Sequence, residues 1–534
     1  MVAHYNYYEA PRSRPIPMTE VERMFERYGP KYRWLVTLTV LLGLVALGMS
    51  ITIVNVATPY IKGQFGMSAS QVQWLSTGFL AATTVSLLIA PWLVRRFGQR
   101  YTYVGLLTVF VFASLLGGLS TGMTTIIMAR IIQGAMTGVI RPVALEALFN
   151  VFPPGSRGMA TAMYGMSLGL PLTLASVVGG YLIEHYNWRY VFYIVLPICG
   201  VAMVMGWLFL PDRENSGPVP RLDWVGAATL FTSIFAILAA IANGQRWGWY
   251  SSDVVTLVVI SGALAVFFVA WVRLHPAPIL DLEIFKSKGF LAGSIVLFLF
   301  GGAFYGVMYL LPQFMDQVLG YSPITSGLLF TPSTLVLGVL VPLVGRLSDR
   351  ISSYWLTIPG LTCAAIGVYR MSLADWHVSF DSLALSMATL SVAMASVPPP
   401  TLSRSISALP ARLIGYGSGA INFALQLGGA FGTVSLVAML DRRTLAHGTA
   451  IVHAQTAGNT ATRSAMTYFS HAASHLGVSA VYRGPVARYL MGRVDTAWAT
   501  ILAYQDGFLM VVVALLAIMP PAFLLSRWGQ AANS

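Results

Sequence analysis

Charge is what this 534-residue chain has least of: Asp, Glu, Lys and Arg together make up only 10% of it. A soluble domain carries about a quarter of its residues charged, so no water-soluble class fits. Cysteine is nearly absent too. Cys199 and Cys363 are the only two, each inside an apolar run, which excludes a disulfide framework and a thiolate metal centre. No Gly-x-x-x-x-Gly-Lys-Ser/Thr string occurs, so the chain has no phosphate loop with which to hydrolyse ATP. No histidine lies within a membrane-length run, which leaves an intramembrane hydrolase or metalloenzyme little to work with. These absences point to a protein that is not an enzyme and that needs no cofactor and no metal.

What the chain has instead is hydrophobicity, at 56% of its residues. At ~20 apolar residues per crossing this suffices for roughly fourteen membrane helices. Apolar runs lie near 34–58, 72–94, 101–120, 124–151, 159–183, 189–210, 222–242 and 253–272, then near 289–315, 322–345, 354–372, 382–402, 412–440 and 504–526. The expected fold class is an all-α membrane protein. Residues 1–33 read as a polar tail without a cleavable signal peptide. Within it Thr19 and Glu22 have capping-box spacing, and Val21, Met24, Phe25 and Tyr28 form one apolar stripe, predicting a short amphipathic helix on the membrane surface.

An even number of crossings puts both termini on one side, and the Lys/Arg bias names it. Most of the 32 Lys and Arg residues fall on the two tails and on every second connection, as with Arg23, Arg27, Arg95, Arg96, Arg100, Arg221, Arg273, Arg346 and Arg350. The short opposite connections hold only Lys62, Arg189, Arg246 and Arg370. Both termini are expected in the cytoplasm, with the chain multi-pass in a bacterial inner membrane. The net charge of +13 then reads as a topology signal and not as a nucleic-acid footprint. A weak repeat relates Pro91 to Arg96 after the second run with Gly345 to Arg350 after the tenth. It divides the chain into a six-helix half at 34–210, an inserted helix pair with linkers at 211–288, and a second half at 289–534 that includes an external segment, 441–503.

Several strings carry a family resemblance. They are Thr52-Ile-Val-Asn-Val-Ala-Thr-Pro59, Arg130-Ile-Ile-Gln-Gly134 with Gly138 and Pro142, Gly179-Gly180, Trp188-Arg-Tyr-Val-Phe192, Pro278-Ile-Leu-Asp-Leu282, Leu319-Gly-Tyr-Ser322, and Asn422 followed by Gln426-Leu-Gly-Gly429. In this order the chain resembles a fourteen-helix major facilitator exporter of the EmrB/QacA drug:proton antiporter type. The resemblance implies a major facilitator fold and proton-driven efflux of the multidrug kind. The chain also departs from that pattern. Ser50 stands where such exporters commonly have Asp, Arg95 where the first turn motif has Asp, Ala175-Ser176 where they have Gly-Pro, and Leu425 where Arg is common.

Charges buried in a membrane are costly and mark functional sites. The fourth run holds Arg130, Arg141 and Glu146. At 100° per residue Arg130 and Arg141 differ by about 20°, with Gln133 and Thr137 on the same stripe, so one polar face is expected to line a water-filled cavity. For Arg130 the alternative is a structural anchor on polar groups of the first helix, and for Arg141 it is snorkelling toward the cytosol. Glu146 points about 160° away and either latches onto Arg96 or Arg100 or serves as a proton-coupling carboxylate. In the second half Tyr305, Tyr309 and Asp316 share a face, and Asn422 and Gln426 form a polar pair. With Asn55 these complete a candidate substrate site, while Asp316 is a second proton-coupling candidate. Arg96, Arg100, Gly345, Asp349 and Arg350 are read as gate or turn residues. Segment 441–503, too long for a tight connection, is expected to form a solvated, partly helical cap or a docking surface for a periplasmic adaptor subunit. The reading is of a secondary transporter exporting amphipathic, anionic or neutral compounds, with protons and membrane lipids as further partners. An organic-anion uptake permease and a non-transporting scaffold are the alternatives.

Overall fold

The computed structural model describes residues 19–67, 69–153, 157–212, 221–276, 278–348, 353–410, 413–456 and 458–528. Within them the secondary structure is helical. Asp349 and Arg350 of the second turn motif lie outside the described residues.

The first element is α1 (Glu20–Tyr28), opened by the capping box: Thr19 N donates to Glu22 at 2.8 Å and Glu22 N donates to Thr19 Oγ1 at 3.3 Å. The structure docks α1 on the protein. Glu20 accepts from the Asp212 backbone N–H and lies 3.5 Å from Arg100, which also pairs with Asp212 at 3.5 Å and donates to Leu210 O at 2.9 Å. Met24 is buried, and Tyr28 meets Phe209 edge to face at 5.6 Å. An amphipathic stripe needs an apolar surface, and here the protein supplies it.

The long helices follow in order. The first half contains α2 (Tyr32–Phe65), α3 (Ala69–Ser86), α4 (Ala90–Gly118), α5 (Met123–Val151), α6 (Arg157–His185), α7 (Tyr190–Tyr193) and α8 (Val195–Phe209). Then come α9 (Trp224–Trp247) and α10 (Ser252–Leu274), followed by α11 (Lys288–Gln317), α12 (Pro323–Leu328), α13 (Thr331–Ser348), α14 (Ser353–Ser372), α15 (Phe380–Ser396) and α16 (Pro398–Ser407). The last are α17 (Ile414–Ala454), α18 (Thr460–His475), α19 (Ala480–Ala517) and α20 (Met519–Trp528). Among the described residues eleven helices are long and apolar enough to cross a membrane. The runs near 72–94, 159–183 and 354–372 also fold as helices and are not among the eleven.

Among the described residues apolar packing gathers into three cores. The largest unites α2, α4, α5, α6, α7 and α8 around Ile53, Tyr103, Phe110, Ile140 and Phe192, and reaches Phe268 of α10, Phe290 of α11 and Ile421 of α17. Another unites α11, α13, α14, α15 and α19 around Phe300, Phe314, Leu361, Leu390 and Phe508. A third, smaller core joins α3, α9 and α17 through Ala81, Val85, Ile234, Leu238, Ala430 and Val434. The inserted pair therefore touches both halves through α9. Its own two helices are clasped by reciprocal bonds, Ser233 Oγ to Ser261 O and Ser261 Oγ to Ser233 O, both 2.9 Å.

Glycine matters at two kinds of place. Gly98, with φ 83°, breaks α4 where the chain reverses after the second run, a conformation that only glycine adopts without strain. Where helices touch backbone to backbone, a Cβ on Gly428 would lie 1.8 Å from Phe298 O, and one on Gly134 would lie 2.2 Å from Phe79 O. The close contacts α11 to α17 and α3 to α5 thus require small residues.

At the end of the bundle away from α1, α17 and α19 run on past the bilayer. At 1.5 Å per residue, 41 and 38 residues extend about 60 Å, against a ~30 Å hydrocarbon core. His447 Nε2 meets Asp506 at 2.8 Å, Arg443 lies 3.5 Å from the same carboxylate, and Gln455 donates to Asp495 at 2.7 Å. Segment 441–503 consists of these two extensions and α18.

Candidate functional site

The two halves meet along α6 with α12 and α13, and along α3 with α17. Between them, midway along the bundle, lies a cavity of ≈ 40 Å³ lined from both sides. The first half contributes Leu44, Leu47, Gly48, Ile51 and Thr52 on α2, Thr137 and Arg141 on α5, and Ser167 on α6. The second contributes Phe304 and Tyr305 on α11 and Met394 on α15.

At the cavity lies a three-residue junction. Arg141 NH1 donates to Gln426 Oε1 at 2.8 Å, and Tyr305 OH donates to the same oxygen at 3.3 Å. Arg141 and Gln426 are buried, at 9% and 1% exposure, and belong to opposite halves. The Gln426 Nε2 donor is buried and has no partner. Tyr164 of α6 lies near both Arg141 and Tyr305. Among the described residues Arg141 uses one of its five N–H donors on Gln426, and no carboxylate lines the cavity. The site therefore has donors in excess and a positive charge without a facing anion. A buried donor left unpaired costs ~1–3 kcal/mol, which an acceptor on a bound molecule recovers.

One layer outward, the rest of the α5 stripe makes a separate network. Arg130 is 1% exposed and does not line the cavity. Its Nε donates to Leu75 O at 3.1 Å, and its NH1 donates to Ser50 O at 3.1 Å, Ser50 Oγ at 3.2 Å and Gln133 Oε1 at 3.0 Å. The guanidinium also lies 4.2 Å from the Phe79 ring centre. Gln133 Nε2 donates to Ser114 at 2.8 Å, and Thr137 Oγ1 donates to Gln133 O at 2.8 Å. Ser50 gives Arg130 oxygens but no compensating charge.

The structure thus brings Thr137, Arg141, Tyr305 and Gln426 together and sets Arg130 and Gln133 behind them. The Asn422 amide is turned onto its own helix, donating to Ser418 O at 2.9 Å. Tyr309 is half-buried one turn beyond Tyr305, near Asp441. Asp316 is exposed at the far end of α11, near Tyr504, whose hydroxyl bonds Gln317 at 3.1 Å. The Asn55 side chain lies outside the described residues. Glu146 is exposed and lies near Arg95 and Gln99. The latch expected between Glu146 and Arg100 is corrected, because Glu20 and Asp212 already hold that guanidinium. Arg96 is exposed, and Gly345 is buried in α13. Sequence reasoning missed Thr52, Ser167, Phe304 and Met394 as cavity wall. Thr52 and Ser167 carried a signal as isolated polar residues in apolar runs, whereas Phe304 and Met394 had no contrast with their neighbours.

Comparison with known proteins follows the same outline. The model of the Major Facilitator Superfamily matches residues 40–433. The multidrug export protein EmrB of Escherichia coli (strain K12) is 30% identical over 399 residues, covering 74% of this chain and 78% of that protein. The fatty acid resistance protein FarB of Neisseria gonorrhoeae is 28% identical over 424 residues, covering 79% and 83%. A solved bacterial homolog of the human lysosomal transporter Spinster superposes with a TM-score of 0.56 at 16% identity, over 94% of this chain and 98% of that one.

Proposed function

This chain belongs to the major facilitator superfamily, and from that membership together with the central cavity we propose that it is a secondary active exporter of amphipathic anions. It is a multi-pass membrane transporter and not an enzyme. The observation that carries the substrate class is the junction of Arg141, Gln426 and Tyr305: Arg141 and Tyr305 line the cavity and both donate to the Gln426 oxygen, and no carboxylate is among the described lining residues. A lipophilic cation entering such a site meets like charge without a counter-ion, at a cost of several kcal/mol. A carboxylate meets the Arg141 guanidinium and the Tyr305 hydroxyl, while Phe304, Met394, Leu44 and Leu47 cover the apolar body. Neutral amphiphiles fit more weakly. The names of EmrB and FarB, a multidrug export protein and a fatty acid resistance protein, agree with this class.

The proposal includes fourteen crossings, counting α3, α6 and α14 with the eleven strongly apolar helices, and both termini in the cytoplasm of a bacterial inner membrane. Alternating access proceeds by rocking of the halves about the Arg141 to Gln426 contact. Protons supply the drive, with Glu146 at the arginine-rich end and Asp316 at the far end as the carboxylates that exchange them. The exposed Tyr468, Leu476, Val481, Tyr482 and Tyr489 on the outer helices support docking of a periplasmic adaptor subunit there. The test is resistance in a pump-deficient bacterial strain: expression is expected to protect against a long-chain fatty acid and not against a quaternary ammonium dye. Protection against the dye alone rejects the anion class.

A further inference from the structure

A second cavity, ≈ 60 Å³, opens at the arginine-rich end of the seam, where the linkers of the inserted helix pair meet both halves. Its wall includes Trp92 and Arg95 of α4, Arg221 and Asp223 just ahead of α9, Ile279 ahead of α11, and Tyr416 of α17. Asp223 is buried, and its carboxylate is occupied: it accepts from Gly226 N at 2.7 Å, Trp271 Nε1 at 2.9 Å and Ile279 N at 3.3 Å. These bonds tie the start of α9, the end of α10 and the Pro278 to Leu282 strand of linker into one rigid wall. The carboxylate is thereby spent on structure. Among the described residues neither Arg95 nor Arg221 has a carboxylate within ion-pair distance, the Glu146 near Arg95 lying beyond it. Two guanidinium groups therefore flank a space whose other walls are aromatic and aliphatic.

Such a lining suits one kind of molecule, an anion with an apolar continuation. The cavity also lies at the bilayer border. Trp224 and Val225, the residues that follow Asp223, are 69% and 42% exposed at the outer surface of the bundle, where interfacial tryptophans face headgroups. We propose that this cavity binds the phosphate of an anionic phospholipid from the adjacent leaflet, with Arg95 and Arg221 on the phosphate and Trp92, Tyr416 and Ile279 against the glycerol and first methylenes. The lipid braces the linkers of the inserted pair against both halves at the arginine-rich end of the seam. This site is separate from the central cavity and does not depend on what that cavity carries.

The test uses the full-length protein in nanodiscs containing phosphatidylglycerol or only phosphatidylcholine. After detergent extraction, native mass spectrometry is expected to find one phosphatidylglycerol retained per wild-type chain. The double variant Arg95→Gln, Arg221→Gln is expected to hold it at least tenfold more weakly, and Arg27→Gln, outside the cavity, to hold it as the wild type does. Equal retention by the double variant overturns the proposal. A second arm needs no charge variant: phosphatidylglycerol brominated on its first acyl carbons is expected to quench Trp92 fluorescence, taken as the difference between wild type and Trp92→Phe, at least twofold more than brominated phosphatidylcholine. Equal quenching by the two lipids overturns the proposal even if the double variant fails to fold. Displacement of the lipid by millimolar inorganic phosphate assigns the site to a soluble anion and overturns the lipid as occupant.

Discussion

Replacing Arg141 by alanine removes the only guanidinium among the described residues that line the central cavity, together with its 2.8 Å bond to Gln426. Two effects follow, and they separate by ligand. The first is loss of the tie between the halves, which shifts the conformational equilibrium equally for every substrate. The second falls on anionic substrates alone: a charge-assisted bond in a buried site contributes about 2–3 kcal/mol, roughly 30- to 150-fold in affinity. Tyr305 OH and the amide of Gln426 remain in the variant, so a neutral ligand loses only the common effect. The assay is transport into inverted proteoliposomes over a range of concentrations, comparing a medium-chain carboxylic acid with its methyl ester. The ratio of kcat/KM values for acid and ester cancels folding yield, insertion and the equilibrium shift. Arg141→Ala is expected to lower that ratio at least 30-fold, and Arg141→Lys by less, since an ammonium keeps the charge but loses the fork. Equal losses for acid and ester would falsify the assignment of Arg141 to substrate charge.

Arg130→Ala leaves the Ser50 and Leu75 carbonyls without their side-chain donor, and is expected to cost about 3 kcal/mol of stability, seen as a lower melting temperature in detergent, with no change in the ratio of acid to ester transport. Gly428→Val forces a side chain into the Phe298 carbonyl and is expected to abolish assembly of α11 on α17, read as loss of a monodisperse peak; Gly105→Ala, with open space around its Cα, leaves the peak unchanged. Glu146→Gln is expected to uncouple export from an imposed pH gradient while downhill exchange of the acid continues. Gradient-driven export at the wild-type rate by that variant removes Glu146 from the coupling path.

Periodicity carries some of this account and distance carries the rest. The 100° step puts Thr137 and Arg141 on one face of α5 without any knowledge of neighbours, and the pair Gly134 and Gly138 marks the face that meets α3. The same step sends Arg130 to the cavity, yet its guanidinium finds carbonyls of Ser50 and Leu75, 80 and 55 residues away, on helices whose approach no local pattern encodes. Arg100 repeats the lesson. It lies 80 residues from Glu20 and 112 from Asp212, so the spacing that suggested Glu146 as its partner had no means of weighing two better-placed carboxylates. The capping box of α1 was legible because it is local, whereas the docking of that helix on Phe209 was not. The junction itself combines residues 141, 305 and 426. Each stood out as a polar group in an apolar run, but their convergence on one oxygen is a property of how the halves close.

The central claim is that the cavity selects negative charge because its described lining residues include the Arg141 guanidinium and the Tyr305 hydroxyl and no carboxylate. Equilibrium binding to purified protein tests it most directly, using a fluorescent long-chain carboxylate and a quaternary ammonium dye of similar size, on wild type and on Ser50→Asp. The wild type is expected to bind the carboxylate at least tenfold more tightly than the dye, and Ser50→Asp, whose added anion pairs with Arg130 outside the cavity wall, to keep that preference. Tighter binding of the dye by the wild type contradicts the account.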